Sequence, residues 1–177
     1  MMKYPLMRRG DFFCSANIGG KSSFLSRNIT RAERWWAKDN EASYGHSGII
    51  LNDSGDTMEA LLTIKRQNIF ADYMDTRVLI GRHIGMNKLR FERAYAAIRN
   101  YEGRLYPGWR LAFFLFCPPL AKFIHFAGMP VCSEFAGYFG HLAELEEFNT
   151  YWGLNPDDLA DMIRKWDCFA VVFEGII

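Results

Sequence analysis

An α+β domain with a mainly antiparallel sheet is the fold class this sequence predicts, from three observations. Short runs of strand length crowd the first half of the chain, helical periodicities follow, and one more strand closes it. Strands grouped before helices favour an α+β domain over alternating βα units. The 177 residues are half apolar, 16% aromatic and 23% charged, which suits one domain, residues 1–177, with a real core. No repeat or low-complexity stretch divides them.

Taken in order, "RGDFFCS" at residues 9–15 predicts a short strand. "NITRAERWWAKDN" at 28–40 predicts a helix, with Thr30 and Glu33 in capping-box spacing and Trp35 and Trp36 near its end. "HSGIILN" at 46–52 is an apolar run stopped by the turn signal "NDSGD", and "TMEALL" follows, so the two predict a hairpin. "RVLIGRH" at 77–83 predicts a third or fourth strand. Phe91, Ala94, Tyr95, Ile98 and Tyr101 recur at helical spacing, and Gly103 ends that helix. Phe135, Ala136, Phe139 and Leu142 repeat in the same way from Cys132, so a helix begins near Cys132, just after the turn "GMP". Asn155, Pro156, Asp157 and Asp158 combine a cap, a first-turn proline and acids at the positive dipole end, which predicts a further helix. "CFAVVFEG" closes the chain as a strand.

Charge and cysteine usage narrow the function classes. The formal net charge is +1 and no run of Lys and Arg stands out, so no nucleic-acid partner is expected. Four cysteines, Cys14, Cys117, Cys132 and Cys168, form no Cys-x-x-Cys pair, and a reducing compartment is the plainer setting. The N-terminus has no apolar run of signal-peptide length, so a cytoplasmic location is expected, with release by lysis or phage delivery as the other route. The longest apolar run, Leu111 to Gly128, is broken by Pro118-Pro119 and carries Lys122 and His125. It is too interrupted for a transmembrane span and predicts either core or a peripheral lipid-contacting surface.

Cys132 carries the most chemistry. A cysteine at the first step of a helix meets a dipole that favours its thiolate, beside N–H groups able to hold a developing oxyanion. A cysteine nucleophile needs a base. Of His46, His83, His125 and His141, the best placed is His46, at the start of an apolar strand near the sheet rim. Glu59 is an acid in an otherwise apolar strand, and the hairpin would set it beside His46 as the group that orients the imidazole, if register allows. The spacings match no zinc pattern, so neither metal nor cofactor is expected. Ser133 and Glu134 are expected to serve helix capping and packing, and Cys14, Cys117 and Cys168 to sit in the core.

The order His46, Glu59, Cys132 resembles the circularly permuted NlpC-like, papain-fold cysteine peptidases and amidases, a group with YiiX-like proteins and lecithin:retinol acyltransferase relatives. Seven motifs in order carry the resemblance: "RGDFF", "YGHSGIIL", "TMEAL", "RVLIGRH", "YEGRLYPGW", "VCSEFAGYF" and "NPDDLADM". Gly45 stands where that family has a small hydroxyl residue, and the segment before Cys132 is more apolar than the family's pattern. The resemblance implies a permuted papain-like fold and a cysteine hydrolase that cleaves an amide bond through a thioacyl-enzyme. Peptide or peptidoglycan substrates would then be natural, with Tyr44 as a second oxyanion donor and Tyr106 and Trp109 along the substrate groove. A lipid acyl hydrolase or acyltransferase, favoured by the Phe-rich 111–128 segment, and a non-catalytic binding or virion structural protein are the alternatives.

Overall fold

The computed structural model describes residues 6–16, 44–60, 63–104 and 132–177. The helix expected at 28–40, the Leu111–Gly128 segment, Cys117, His125, Tyr106 and Trp109 lie outside the described residues. Among the described residues, the chain is α+β, with a six-stranded antiparallel sheet and four α-helices.

The strands are β1 (Phe12–Ser15), β2 (His46–Ile50), β3 (Asp56–Ala60), β4 (Ile64–Asn68), β5 (Arg77–His83) and β6 (Phe169–Ile176). Their spatial order is β4-β3-β2-β1-β5-β6, and each neighbouring pair is antiparallel. The helices are α1 (Ile69–Asp72), α2 (Lys88–Ile98), α3 (Cys132–Leu142) and α4 (Pro156–Lys165). A 3₁₀ turn at Arg99–Tyr101 extends α2, and another at Glu146–Phe148 follows α3.

β1 sits in the middle of the sheet, and all four of its residues are buried. Alternate side chains of a strand point to opposite faces, so Phe12 and Cys14 serve one apolar layer and Phe13 the other. The first layer joins Phe12, Cys14, Ile49, Met58 and Leu79 to the inner faces of α2, α3 and α4 through Phe91, Ile98, Phe135, Phe139, Leu159 and Ile163. The second joins Phe13, Ile50, Val78 and Ile80 to Ile69 and Tyr73. α3 lies chiefly on β2, β3 and α2, whereas α4 lies on β6, β5 and β1.

Local chemistry explains most boundaries. Gly10 adopts φ +84°, which turns the chain into β1. Asp11 then accepts two 2.8 Å bonds from the Arg82 guanidinium and one from the Arg8 N–H, clamping the start of β1 to β5. The β2–β3 hairpin turns on Asn52, whose side chain accepts from the Ser54 and Asp56 N–H groups, with Gly55 at φ +85°. Asn155 caps α4 with a full capping box, its partner being Asp158.

Two elements depart from the expectation. "IKRQN" forms β4, so "RVLIGRH" is the fifth strand in chain order. β4 has no apolar alternation because it is a sheet edge, where Lys65 and Arg66 are exposed and also blunt edge-to-edge pairing. The four-residue α1 has no counterpart among the expected elements, and it is started by the Asn68 side chain, which accepts from the Phe70 and Ala71 N–H groups.

α4 approaches β5 closely at Gly81, where an added Cβ would stand 2.5 Å from the Ile163 side chain. Gly81→Val is therefore expected to destabilise the fold by about 1–3 kcal/mol. Urea denaturation checks this, and the paired variant Gly81→Val with Ile163→Ala should recover part of the loss.

Candidate active site

The site is assembled at one end of the sheet, from β2, β3, the segment after α1 and the first turn of α3. His46 is the first residue of β2 and is fully buried. Glu59 lies in β3, on the strand face that β3 shares with Thr57, and is fully buried too. The hairpin register pairs Ile49 with Met58 and Ile50 with Thr57, which carries Glu59 back toward the start of β2. His46 Nε2 and Glu59 Oε2 are 2.8 Å apart.

Gly48 makes that reach possible. A Cβ there would meet Glu59 Cγ at 2.8 Å and the Phe13 ring at 2.7 Å. The carboxylate thus crosses the strand over a position with no side chain.

Two further donors converge on Glu59. The Thr57 hydroxyl donates to Oε1, and the Tyr73 hydroxyl donates to Oε2, the oxygen that also meets His46. A buried carboxylate is costly unless its oxygens are hydrogen-bonded and its charge is paired, and Glu59 has both. Sequence reasoning missed Thr57 and Tyr73. Thr57 was within reach of it, since residues i and i+2 share a strand face. Nothing in the local sequence marks Tyr73, which returns to Glu59 only through β4 and α1.

Cys132 is the first residue of α3 and is partly exposed. Its side chain hydrogen-bonds His46, and the backbone N–H groups of Ser47 and Ser133 donate to the sulfur. Glu59 engages Nε2 of the imidazole, so Nδ1 is the nitrogen left for the thiol. Burial opposes the Cys132 thiolate. The attraction of the His46 imidazolium, its hydrogen bond and the two N–H donors outweigh that cost and hold the thiol below its ordinary value. Burial also opposes the charged imidazole. The Cys132 thiolate and Glu59 overcome it and lift His46 well above its ordinary 6.5. The pair therefore favours thiolate and imidazolium, the reactive form of a cysteine nucleophile.

The first turn of α3 is pinned from behind. Ser133 and Glu134, expected to serve capping and packing, are both fully buried. Ser133 donates to the Leu154 carbonyl at 2.5 Å, and Glu134 accepts from the Gly153 N–H at 2.9 Å. They tie the helix that carries Cys132 to the loop before α4.

Tyr44 is placed differently from the expected oxyanion donor. Its hydroxyl donates to Glu174 (3.2 Å) and accepts from Arg164 (3.1 Å), and its ring lies under the Arg77 and Arg164 guanidiniums. Burial, the leading cause, pushes its phenol up to about 12. A phenol has one proton, and here it goes to Glu174. Cys14 is buried as expected, while Cys168 is only partly so.

Cys168 belongs to a second cluster, with His83 and Glu147, whose potential ligand atoms lie within 4.8 Å of one another. His83 Nδ1 accepts from the Gly85 N–H at 3.0 Å, so Nε2 carries the proton it gives to Glu147 at 2.9 Å. Burial, and then Glu147, push the Cys168 thiol up to about 11. These groups fit a protonated hydrogen-bond cluster better than a metal-ligand set, which would need both protons removed.

No family model matches the sequence, and no curated protein matches it.

The ion pair sets a pH window for Cys132 alkylation. Labelling by iodoacetamide, followed at the Cys132 peptide by mass spectrometry, is expected to be fast well below pH 8.5, the ordinary thiol value. His46→Ala removes the counter-charge and should return the midpoint toward that value. A midpoint unchanged by His46→Ala in a folded protein would show that the two groups do not titrate together.

Proposed function

We propose that the chain is a cysteine hydrolase that cleaves an amide bond through a thioacyl-enzyme, on a circularly permuted papain-like fold. The observation that carries this reading is the chain of contacts from Cys132 through His46 to Glu59. Nucleophile, base and orienting acceptor are in hydrogen-bonded sequence, each on a different element of the scaffold.

Cys132 attacks the carbonyl carbon as the thiolate, and the tetrahedral intermediate places negative charge on the carbonyl oxygen. First-turn N–H groups of a helix have no acceptor within it, so the start of α3 provides donors for that charge. His46 gives its proton to the leaving amine as the intermediate collapses to a thioester. Water, deprotonated by the now neutral imidazole, attacks the thioester and releases the acid and the thiolate. Glu59 holds the ring orientation and the imidazolium charge through both steps.

The arrangement supports an amide or ester carbonyl as the reacting group, and peptide or cell-wall peptide is the substrate class the motif order favours. The lipid alternative rests on the apolar stretch at 111–128, outside the described residues, and no feature of the described site favours it. Among the described residues, no helix is long and apolar enough to cross a membrane.

Two substitutions test the assignment on peptide and activated-amide substrates. Cys132→Ala should abolish turnover and the covalent acyl adduct detected by intact mass. Glu59→Gln keeps shape but loses charge, and should lower kcat on the order of 10²-fold while still forming the adduct. Equal and complete losses in two folded variants would contradict an orienting role for Glu59.

A further inference from the structure

Tyr73 lies outside every motif of the sequence, yet its hydroxyl meets the carboxylate oxygen that also holds His46. We propose that Tyr73 is a positioning residue that keeps the shared proton on His46 rather than on Glu59. The proposal rests on the reading of Cys132, His46 and Glu59 as a catalytic set, and it adds a fourth member with a distinct task.

The argument starts from where a proton can sit in a dry site. A buried carboxylate beside a buried imidazole has two states close in energy, the ion pair and the neutral pair. Low polarity favours the neutral pair, because it leaves no charge to solvate. Hydrogen-bond donors aimed at the carboxylate favour the ion pair, because they stabilise only the anion strongly. Glu59 receives two neutral donors, Thr57 on Oε1 and Tyr73 on Oε2. The Tyr73 hydroxyl shares its acceptor oxygen with His46, so it acts on the atom to which the imidazole proton would otherwise move.

Tyr73 is built to hold that position. It is fully buried, and its ring lies within 8° of parallel to the imidazole, at 6.2 Å between centroids. Phe13 sets its ring edgewise against both, at 5.5 Å from Tyr73 and 6.3 Å from His46. The Tyr73 N–H closes α1 by donating to the carbonyl of Ile69, the first residue of that helix, and the Tyr73 carbonyl accepts from the Thr76 N–H. These contacts fix the residue on both sides of its Cα.

The consequence reaches the sulfur. If the proton moved to Glu59, the imidazole would become neutral and the Cys132 thiolate would lose its counter-charge. Among the described residues, the titratable groups facing His46 are Cys132 from α3, Glu59 from β3 and Tyr73 from the segment after α1. Each enters the balance with its own sign. Cys132 and Glu59 attract the proton to the imidazole, and Tyr73 strengthens the second of these by stabilising Glu59 as the anion.

The test is the titration of His46 in the full chain, followed by NMR with ¹⁵N-labelled histidine. It compares the parent with Tyr73→Phe, each with Cys132 intact and with Cys132→Ala. Tyr73→Phe keeps the ring and removes only the hydroxyl. It should lower the His46 midpoint by about one pH unit in both backgrounds. A midpoint that stays or rises in the folded variant overturns the proposal, since a packing role alone leaves the proton where it was. Thr57→Val, which removes the donor on the other oxygen, should shift the midpoint in the same direction. It decides the matter if Tyr73→Phe does not fold, an unmoved or raised midpoint again overturning the proposal. The catalytic reading is judged separately within the same data. If Cys132→Ala leaves the His46 midpoint at the parent value, the thiolate is not the partner of His46, while the Tyr73 comparison still reports on Glu59.

Discussion

The buried contact between Glu59 and His46 is the constraint on which the site depends. Both side chains are out of water, so a charge on either is costly without a buried partner of opposite charge. The protein meets this cost with geometry. Gly48 clears a path across β2, and Thr57 and Tyr73 complete the carboxylate's hydrogen bonds. Once that pair is set, His46 can face Cys132 as a cation, and the sulfur is held as an anion by it and by two backbone N–H groups. Removing one member would leave the other charges poorly compensated, so the three elements that carry them, β2, β3 and α3, are coupled.

The scaffold turns this coupling into rigidity. His46 and Glu59 lie on adjacent strands joined by a tight hairpin, and β2 is held on its other side by the buried β1. The helix that begins at Cys132 rests on those same strands and is anchored from behind by Ser133 and Glu134. At the far edge, Tyr44, Arg77, Arg164 and Glu174 form a separate ion-pair network, in which the hydrogen bond from Arg164, helped by that from Arg77, outweighs the opposing effect of burial and brings the Glu174 carboxyl down to about 2. That network ties α4 to β6 and to the segment before His46. It occupies the tyrosine that chain position alone had suggested for transition-state stabilisation.

A comparison of the two Cys–His–Glu groupings shows why residue types alone do not define a nucleophile. Cys132 stands at a helix start facing a cationic ring, and its thiol is held low. Cys168 stands beside a carboxylate, and its thiol is held high. Glu147 bonds the His83 imidazole as Glu59 bonds that of His46, but it also acts on the sulfur, where it adds to burial in opposing the thiolate. Where Glu59 touches His46 it promotes the thiolate, and where Glu147 touches Cys168 it opposes one.

The sequence by itself determined the α+β class, the hairpin, the helix starts at Cys132 and Asn155, and the candidates His46, Glu59 and Cys132. Those features are written in local signals: alternation or runs of apolar residues, turn residues between them, caps, and polar residues in apolar surroundings. Only the tertiary structure decided the rest. β4 has no apolar signature because its pairing with β3, rather than its own burial, makes it a strand. Tyr73 reaches Glu59 through a turn of chain that no periodicity records, and the Tyr44 hydroxyl goes to Glu174, 130 residues away. Hydrogen-bond partners distant in the chain are chosen by where the packed elements bring them, and one residue's neighbours in sequence carry no information about that.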